Sequence, residues 1–170
     1  MNKLIILLTV FVNCSLLAQS IQINESEASI KFVFVDDDVD GTFSDFKFTG
    51  AVNLDDLSNA NFSGSVPVET IDTDNWIRNG VLKRKYFDFK EYPRLSFKST
   101  EVNGSGKEFL VRGTLTIKGV SKPVTFTFTK RPSSFYASTM INAADFGVEI
   151  YDKKDRNMVQ IMLNLPYTIK

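Results

Sequence analysis

Apolar and polar residues alternate with a period of two in short runs between residues 28 and 165. Successive side chains of a β-strand point to opposite faces, so this alternation predicts strands with one buried face and one face in water. Phe, Val, Ile and Thr, which fill the runs, are residues that strands favour. The apolar positions are Ala28, Ile30, Phe32, Phe34, Val66, Val68, Leu95, Phe97, Phe109, Val111, Leu115, Ile117, Val124, Phe126, Phe128, Val159, Ile161, Leu163 and Leu165.

Turn signals separate the runs and indicate how the strands are joined. Residues 103–106 (NGSG) predict a hairpin loop, and residues 119–121 and 131–134 predict further tight links. About eight strands joined in sequence by short turns are typical of an antiparallel barrel or sandwich. We therefore expect an all-β fold, with residues 21–170 forming a single domain.

One segment departs from the strand pattern. Residues 72–74 (DTD) are candidate helix N-caps, Ile77 and Val81 follow at i and i+4, and residues 83–85 (KRK) place cations at the end. The sequence predicts one short helix, roughly 74–85. We expect it to cover an end or an open side of the strand assembly.

The first twenty residues have the pattern of a secretory signal peptide. A positive start is followed by an apolar run from Leu4 to Val12, which is too short for a membrane span, and then by small residues. Cleavage after Ala18 or after Ser20 suits this pattern. Asn13 stands where bacterial lipidation of Cys14 would require a small residue, so the pattern favours a cleaved, exported protein over a lipoprotein.

The composition excludes several kinds of chemistry. The chain has no histidine and one cysteine, Cys14, which rules out Ser-His-Asp and Cys-His catalysis and zinc sites built from these residues. Twenty basic and 20 acidic residues balance, which argues against nucleic-acid binding. We expect no catalytic residue, no metal and no cofactor. Residues 36–41 (DDDVDG) match the first six positions of a twelve-residue calcium-binding loop. The twelfth position of that loop requires a Glu, and here it is Lys47.

Two features have both a functional and a structural interpretation. The apolar stripes can line a ligand cavity or fill a packed core, and periodicity does not distinguish the two. Arg78 and the KRK run of residues 83–85 can hold an anionic headgroup, or they can compensate the charge of a helix end, which is the commoner use of such residues.

Several motifs resemble those of the YceI-like family. They are residues 71–75 (IDTDN), Arg78, Leu82, residues 87–88 (FD), residues 92–99 (YPRLSFKS), residues 113–124 (GTLTIKGVSKPV), residues 145–147 (DFG) and residues 41–43 (GTF). Their order and spacing cover nearly all of residues 21–170. The resemblance implies a lipocalin-like antiparallel β-barrel around an apolar tunnel, export to the bacterial periplasm or beyond, and binding of a polyisoprenoid or similar long-chain lipid.

The resemblance, together with the apolar stripes, also implies where such a lipid lies. Arg78 and Arg84 are the candidate headgroup contacts. The candidate tunnel-lining residues are Phe32, Phe34, Val68, Phe97, Val111, Leu115, Ile117, Phe126, Phe128, Ile161 and Leu163. The first alternative is a secreted, non-catalytic stress-response or interaction module with a packed barrel. An enzyme using carboxylates alone is a weaker alternative. A homodimer and an envelope protein partner remain open.

Overall fold

The computed structural model describes residues 19–170, whose ten strands join in one antiparallel sheet. The signal peptide predicted for residues 1–20 lies almost entirely outside the described residues and stays a prediction. In chain order the strands are β1 (Ile21–Ile23), β2 (Ser29–Phe34), β3 (Val39–Phe43), β4 (Lys47–Phe48), β5 (Ser63–Pro67), β6 (Arg94–Asn103), β7 (Glu108–Ile117), β8 (Val120–Lys130), β9 (Ser134–Asn142) and β10 (Met158–Ile169).

The order of strands shows that the sheet curls. Neighbours follow the order β3-β2-β10-β9-β8-β7-β6-β5-β4, with β1 paired to β10. The two edge strands, β3 and β4, are separated in sequence by residues 44–46 alone. A link from Phe43 to Lys47 spans at most about 14 Å, so the two edges must come close together. The predicted antiparallel barrel with one short helix is confirmed, with ten strands rather than about eight.

The helix is shorter than predicted and begins later. Helix α1 spans Trp76–Val81 and continues as a π-helical turn over Leu82–Tyr86. Asn75 is the N-cap, because its side-chain oxygen accepts hydrogen bonds from the backbone N–H groups of residues 77 and 78 at 3.1 and 3.0 Å. Asp74 cannot belong to the helix because its φ is +54°. Within residues 19–170, no helix has the length and apolar character needed to cross a membrane.

Five aromatic rings close one end of the barrel. They come from strand ends that meet at that end and from the segment before β5, and we call them the aromatic plug: Phe62, Phe109, Phe128, Phe135 and Tyr167. Ring centroids are 4.7 Å apart for the Phe62–Phe128 pair and 5.0 Å apart for the Phe135–Tyr167 pair. Every ring is buried. Helix α1 lies at the opposite end, between the end of β5 and the start of β6.

Candidate functional site

An apolar cavity of about 140 Å³ lies inside the barrel. Its wall is built from inward-facing Phe, Ile, Leu and Val side chains on β2, β5 to β8 and β10. Of the lining residues that the structure describes, Lys31 alone carries a charge, and its side chain is exposed. Such an interior offers burial of apolar surface to a ligand.

Most of the residues predicted to line a tunnel border this cavity. They are Phe32, Phe34, Phe97, Leu115, Ile117, Phe126, Phe128, Ile161 and Leu163. Whether these residues contact a ligand remains a prediction. Phe97, Ile161 and Leu163 point inward yet are only half-buried, because they face the open space of the cavity.

Val68 and Val111 do not border the cavity. Strand β5 ends at Pro67, so Val68 lies in a 3₁₀ turn over Val68–Thr70 and does not continue the strand alternation. Val111 points inward between Val102 and Phe126, and packed neighbours enclose it. Both side chains are 0% exposed and belong to the core.

The sequence interpretation missed several lining residues. Phe43, Phe46 and Phe48 border the cavity from β3, β4 and the link between them. Their segment is too short and irregular to show a period-two pattern. The high phenylalanine content of the chain is the sequence signal that pointed to further aromatic lining residues. Phe87, which follows the π-helical turn, also borders the cavity and is buried.

Two inward-facing glycines shape the cavity wall. Gly41 of β3 faces the ring of Phe32, and Gly113 of β7 faces the ring of Phe97. A Cβ atom at either glycine would collide with the aromatic ring. The added atom would also meet the backbone oxygen of Asp72 at Gly41 and that of Lys98 at Gly113, so glycine is required at both positions.

A groove of about 380 Å³ lies under α1, and we call it the helix-side groove. Ile77, Val81 and Leu82 line it from the helix. Phe32 and Phe34 border both this groove and the internal cavity, which places the groove directly beside the cavity.

The two predicted headgroup residues have different positions. Arg78 borders the helix-side groove, but its guanidinium donates hydrogen bonds to the hydroxyl of Thr73 at 2.8 Å and to the carbonyl of Thr73. Arg84 is exposed and borders neither the cavity nor the helix-side groove. The structure therefore brings Arg78, but not Arg84, to the groove.

The far wall of the helix-side groove is held by polar contacts. The Tyr151 hydroxyl donates a hydrogen bond to Asp37, which raises the pKa of that phenol. Arg156 pairs with Asp37 at 3.1 Å and lies over the Tyr151 ring at 4.2 Å. These contacts hold the turn that contains Asp37, which follows β2, against the segment that precedes β10. Within residues 19–170, no three His, Cys, Asp or Glu side chains form a group that could hold a metal ion.

A second, more polar groove runs beside the unpaired edges of β3 and β4, and Glu25 bridges it. One Glu25 carboxylate oxygen accepts from the backbone N–H of Phe48 at 2.7 Å, and the other pairs with Lys47 Nζ at 2.9 Å. The hydrogen bond from Lys47, followed by that from Phe48, lowers the pKa of Glu25. Glu25 therefore fastens β4 to the segment before β2, across the opening between the edge strands.

Replacing Glu25 with Gln is expected to lower stability by about 1 kcal/mol at pH 7, as for an exposed ion pair with one added hydrogen bond. Because folding lowers the pKa of Glu25, the contribution is complete above the unfolded pKa, for which the ordinary value is 4.5. The contribution is lost as the pH falls through the folded pKa. Urea unfolding at pH 7 and pH 3 measures the difference. Glu27→Gln, which removes an exposed carboxylate nearby, is the control. Equal stability of the two variants at pH 7 would contradict the bridge.

Comparison with known proteins supports the fold. A family model described as YceI-like domain matches residues 21–167. BcnA of Burkholderia cenocepacia is 22% identical with a TM-score of 0.75, and the match covers 85% of this chain and 98% of BcnA. A polyisoprenoid binding domain from Saccharophagus degradans is 14% identical with a TM-score of 0.64, covering 89% of this chain and 99% of that domain.

Sequence relatives match over a smaller part of the chain. A UPF0312 protein of Photorhabdus laumondii is 38% identical over 87 residues, which are 49% of this chain and 44% of that protein. A UPF0312 protein of Yersinia pestis is 38% identical over 88 residues, which are 50% of this chain and 45% of that protein. The match thus spans a little under half the length of these relatives.

Proposed function

The chain belongs to the YceI-like domain family, and we propose that it binds the apolar chain of a polyisoprenoid or similar lipid inside its barrel. The observation that carries the proposal is the internal cavity, whose lining is almost wholly aromatic and aliphatic. Burial of apolar surface yields roughly 25 cal/mol per Å² and needs no directed hydrogen bonds. A site of this kind binds by size and shape, so its selectivity among apolar chains is expected to be loose.

The volume of the cavity sets a limit on the bound segment. A cavity of about 140 Å³ is similar in size to an engineered cavity of roughly 150 Å³ that holds one benzene. A long chain must therefore extend beyond the cavity. The helix-side groove offers about 380 Å³ directly beside it, with the rings of Phe32 and Phe34 between the two spaces. We infer that these two rings move when a long chain enters.

The geometry favours one orientation of the lipid. The aromatic plug closes the far end of the barrel, so the chain end points toward the plug and the polar head lies at the helix-side groove. Arg78 borders this groove and is the candidate headgroup contact. It would have to release its hydrogen bonds to Thr73 in order to bind a headgroup.

We propose that the protein is a binding protein, and not an enzyme, and that it acts outside the cytoplasm. The predicted signal peptide of residues 1–20 supports export to the periplasm or beyond. The lack of histidine and the apolar lining support binding without catalysis. The polyisoprenoid binding domain from Saccharophagus degradans has the same fold, which supports this proposed use of the barrel.

Native mass spectrometry tests the proposal. The protein is incubated with geranylgeraniol or palmitic acid, transferred to a volatile buffer and measured intact. We expect one added ligand mass for each folded protein, and organic extraction should return the ligand unchanged. Absence of any adduct at saturating ligand would contradict lipid binding. That result would favour the alternative function, in which the barrel is packed and acts through its surface. The small volume of the cavity is the observation that supports this alternative.

A further inference from the structure

The outer side of the helical segment exposes an unusual set of apolar side chains. Trp76, Ile77 and Val81 are 83%, 59% and 44% exposed, and Trp76 is the most exposed large apolar residue of the described chain. Arg84 and Lys85 follow in the π-helical turn, and both are exposed. We call this set of five residues the outer helix face. A surface helix normally turns its apolar residues toward the core, so this face is unpartnered.

The charge of the segment is entirely positive. Residues 76–86 (WIRNGVLKRKY) contain four cations and no acid. The five ion pairs found within residues 19–170 do not involve Lys83, Arg84 or Lys85. The nearest acids in sequence, Asp74 and Asp88, lie outside the segment at either end.

The position of this face links it to the cavity. Ile77 and Val81 are exposed to solvent and also border the helix-side groove, which adjoins the internal cavity through Phe32 and Phe34. A surface that covered the outer helix face would therefore lie at the opening through which an apolar chain reaches the barrel interior.

We propose that the outer helix face docks on an anionic lipid membrane. Trp76 and Ile77 enter the boundary between headgroups and acyl chains, where tryptophan is favoured, and Arg84 and Lys85 bind lipid phosphates. Clusters of basic residues are attracted to anionic lipid surfaces, and residues 76–86 have four cations and no acid, so the charge of the segment complements an anionic membrane. Docking brings the helix-side groove to the bilayer, where a lipid chain enters or leaves.

The fluorescence of Trp76 tests this docking, because Trp76 is the one tryptophan of the chain. The protein is titrated with phosphatidylcholine vesicles that contain about one third phosphatidylglycerol, and with vesicles of phosphatidylcholine alone. We expect the emission to shift to shorter wavelength and the protein to sediment with the anionic vesicles. Raising the salt concentration should weaken this binding, because salt screens exposed charges.

A charge variant with a matched control sharpens the test. Each basic residue near an anionic surface strengthens binding about fivefold, so Arg84→Gln with Lys85→Gln should weaken vesicle binding about 25-fold. Lys107→Gln with Lys170→Gln removes two cations at the opposite end of the barrel and should leave binding unchanged. Circular dichroism checks that both double variants are folded.

Three outcomes would overturn the docking proposal. They are an unchanged Trp76 emission with anionic vesicles, equal binding to neutral vesicles, and equal loss of binding in the two double variants. An unchanged Trp76 emission would indicate that the outer helix face binds a protein partner instead of a membrane. Native mass spectrometry with dissolved ligand needs no vesicle, so failure of docking and failure of lipid binding are measured separately.

Discussion

Leu163→Trp is expected to weaken binding of an apolar ligand about 30-fold while the barrel stays folded. Leu163 points into the cavity from β10, between Ile30 and Ala137, and is only half-buried. The larger indole would occupy much of the 140 Å³ volume. Excluding two or three ligand carbons from the cavity costs about 2 kcal/mol, at about 0.8 kcal/mol per CH₂. Titration with geranylgeraniol, followed by native mass spectrometry, measures the change in affinity.

Met162→Trp is the matched control for this variant. Met162 is the preceding residue on β10 and points to the outer face, where it pairs with Lys31 and Ser138. The control carries the same indole on the same strand and should bind the ligand like the parent protein. Thermal unfolding of both variants separates blocked binding from lost stability. A Leu163→Trp protein that is folded and binds normally would show that the ligand lies elsewhere.

Phe135→Ala is expected to reduce the free energy of unfolding by about 4 kcal/mol, as for the deletion of a buried aromatic ring. Phe135 is 0% exposed and lies at the centre of the aromatic plug. Its ring centroid is 5.0 Å from that of Tyr167 and 5.4 Å from that of Phe62. For a domain of this size the melting temperature should fall by roughly 8–16 °C, which calorimetry measures.

Two further variants make the test of the plug decisive. Met140 lies on the same strand as Phe135 and is 48% exposed. The Met140→Ala substitution should therefore change the free energy of unfolding by less than about 1 kcal/mol. Phe135→Leu keeps part of the buried volume and should lose less stability than Phe135→Ala, which provides a measurement if the alanine variant does not fold. Equal stability of Phe135→Ala and Met140→Ala would contradict the role of the plug.

Periodicity predicted the long strands because each has one face in the core. Strands β6, β7, β8 and β10 carry at least ten residues, so the alternation is repeated often enough to be recognised. The shortest strand, β4, has two residues and carries no pattern of its own. The proximity of the edge strands β3 and β4 depends on the curl of the whole sheet, which no local signal encodes.

The helix and the site show a second limit of local patterns. Asp74 is a good N-cap residue by type, but its backbone is left-handed, and Asn75 caps the helix instead. Val111 and Leu115 have the same inward-facing pattern on β7, yet only Leu115 borders the cavity. Whether an inward residue faces open space or a packed neighbour depends on the rings across the barrel, and those come from distant parts of the chain.

Photochemical labelling determines whether an apolar chain occupies the interior of the barrel. The protein is loaded with an isoprenoid alcohol that carries a diazirine near the chain end, irradiated, digested and sequenced by mass spectrometry. Binding in the cavity predicts adducts on inward-facing residues, foremost Phe97, Ile161 and Leu163. Adducts confined to outward-facing residues such as Met140 and Met162 would contradict the account.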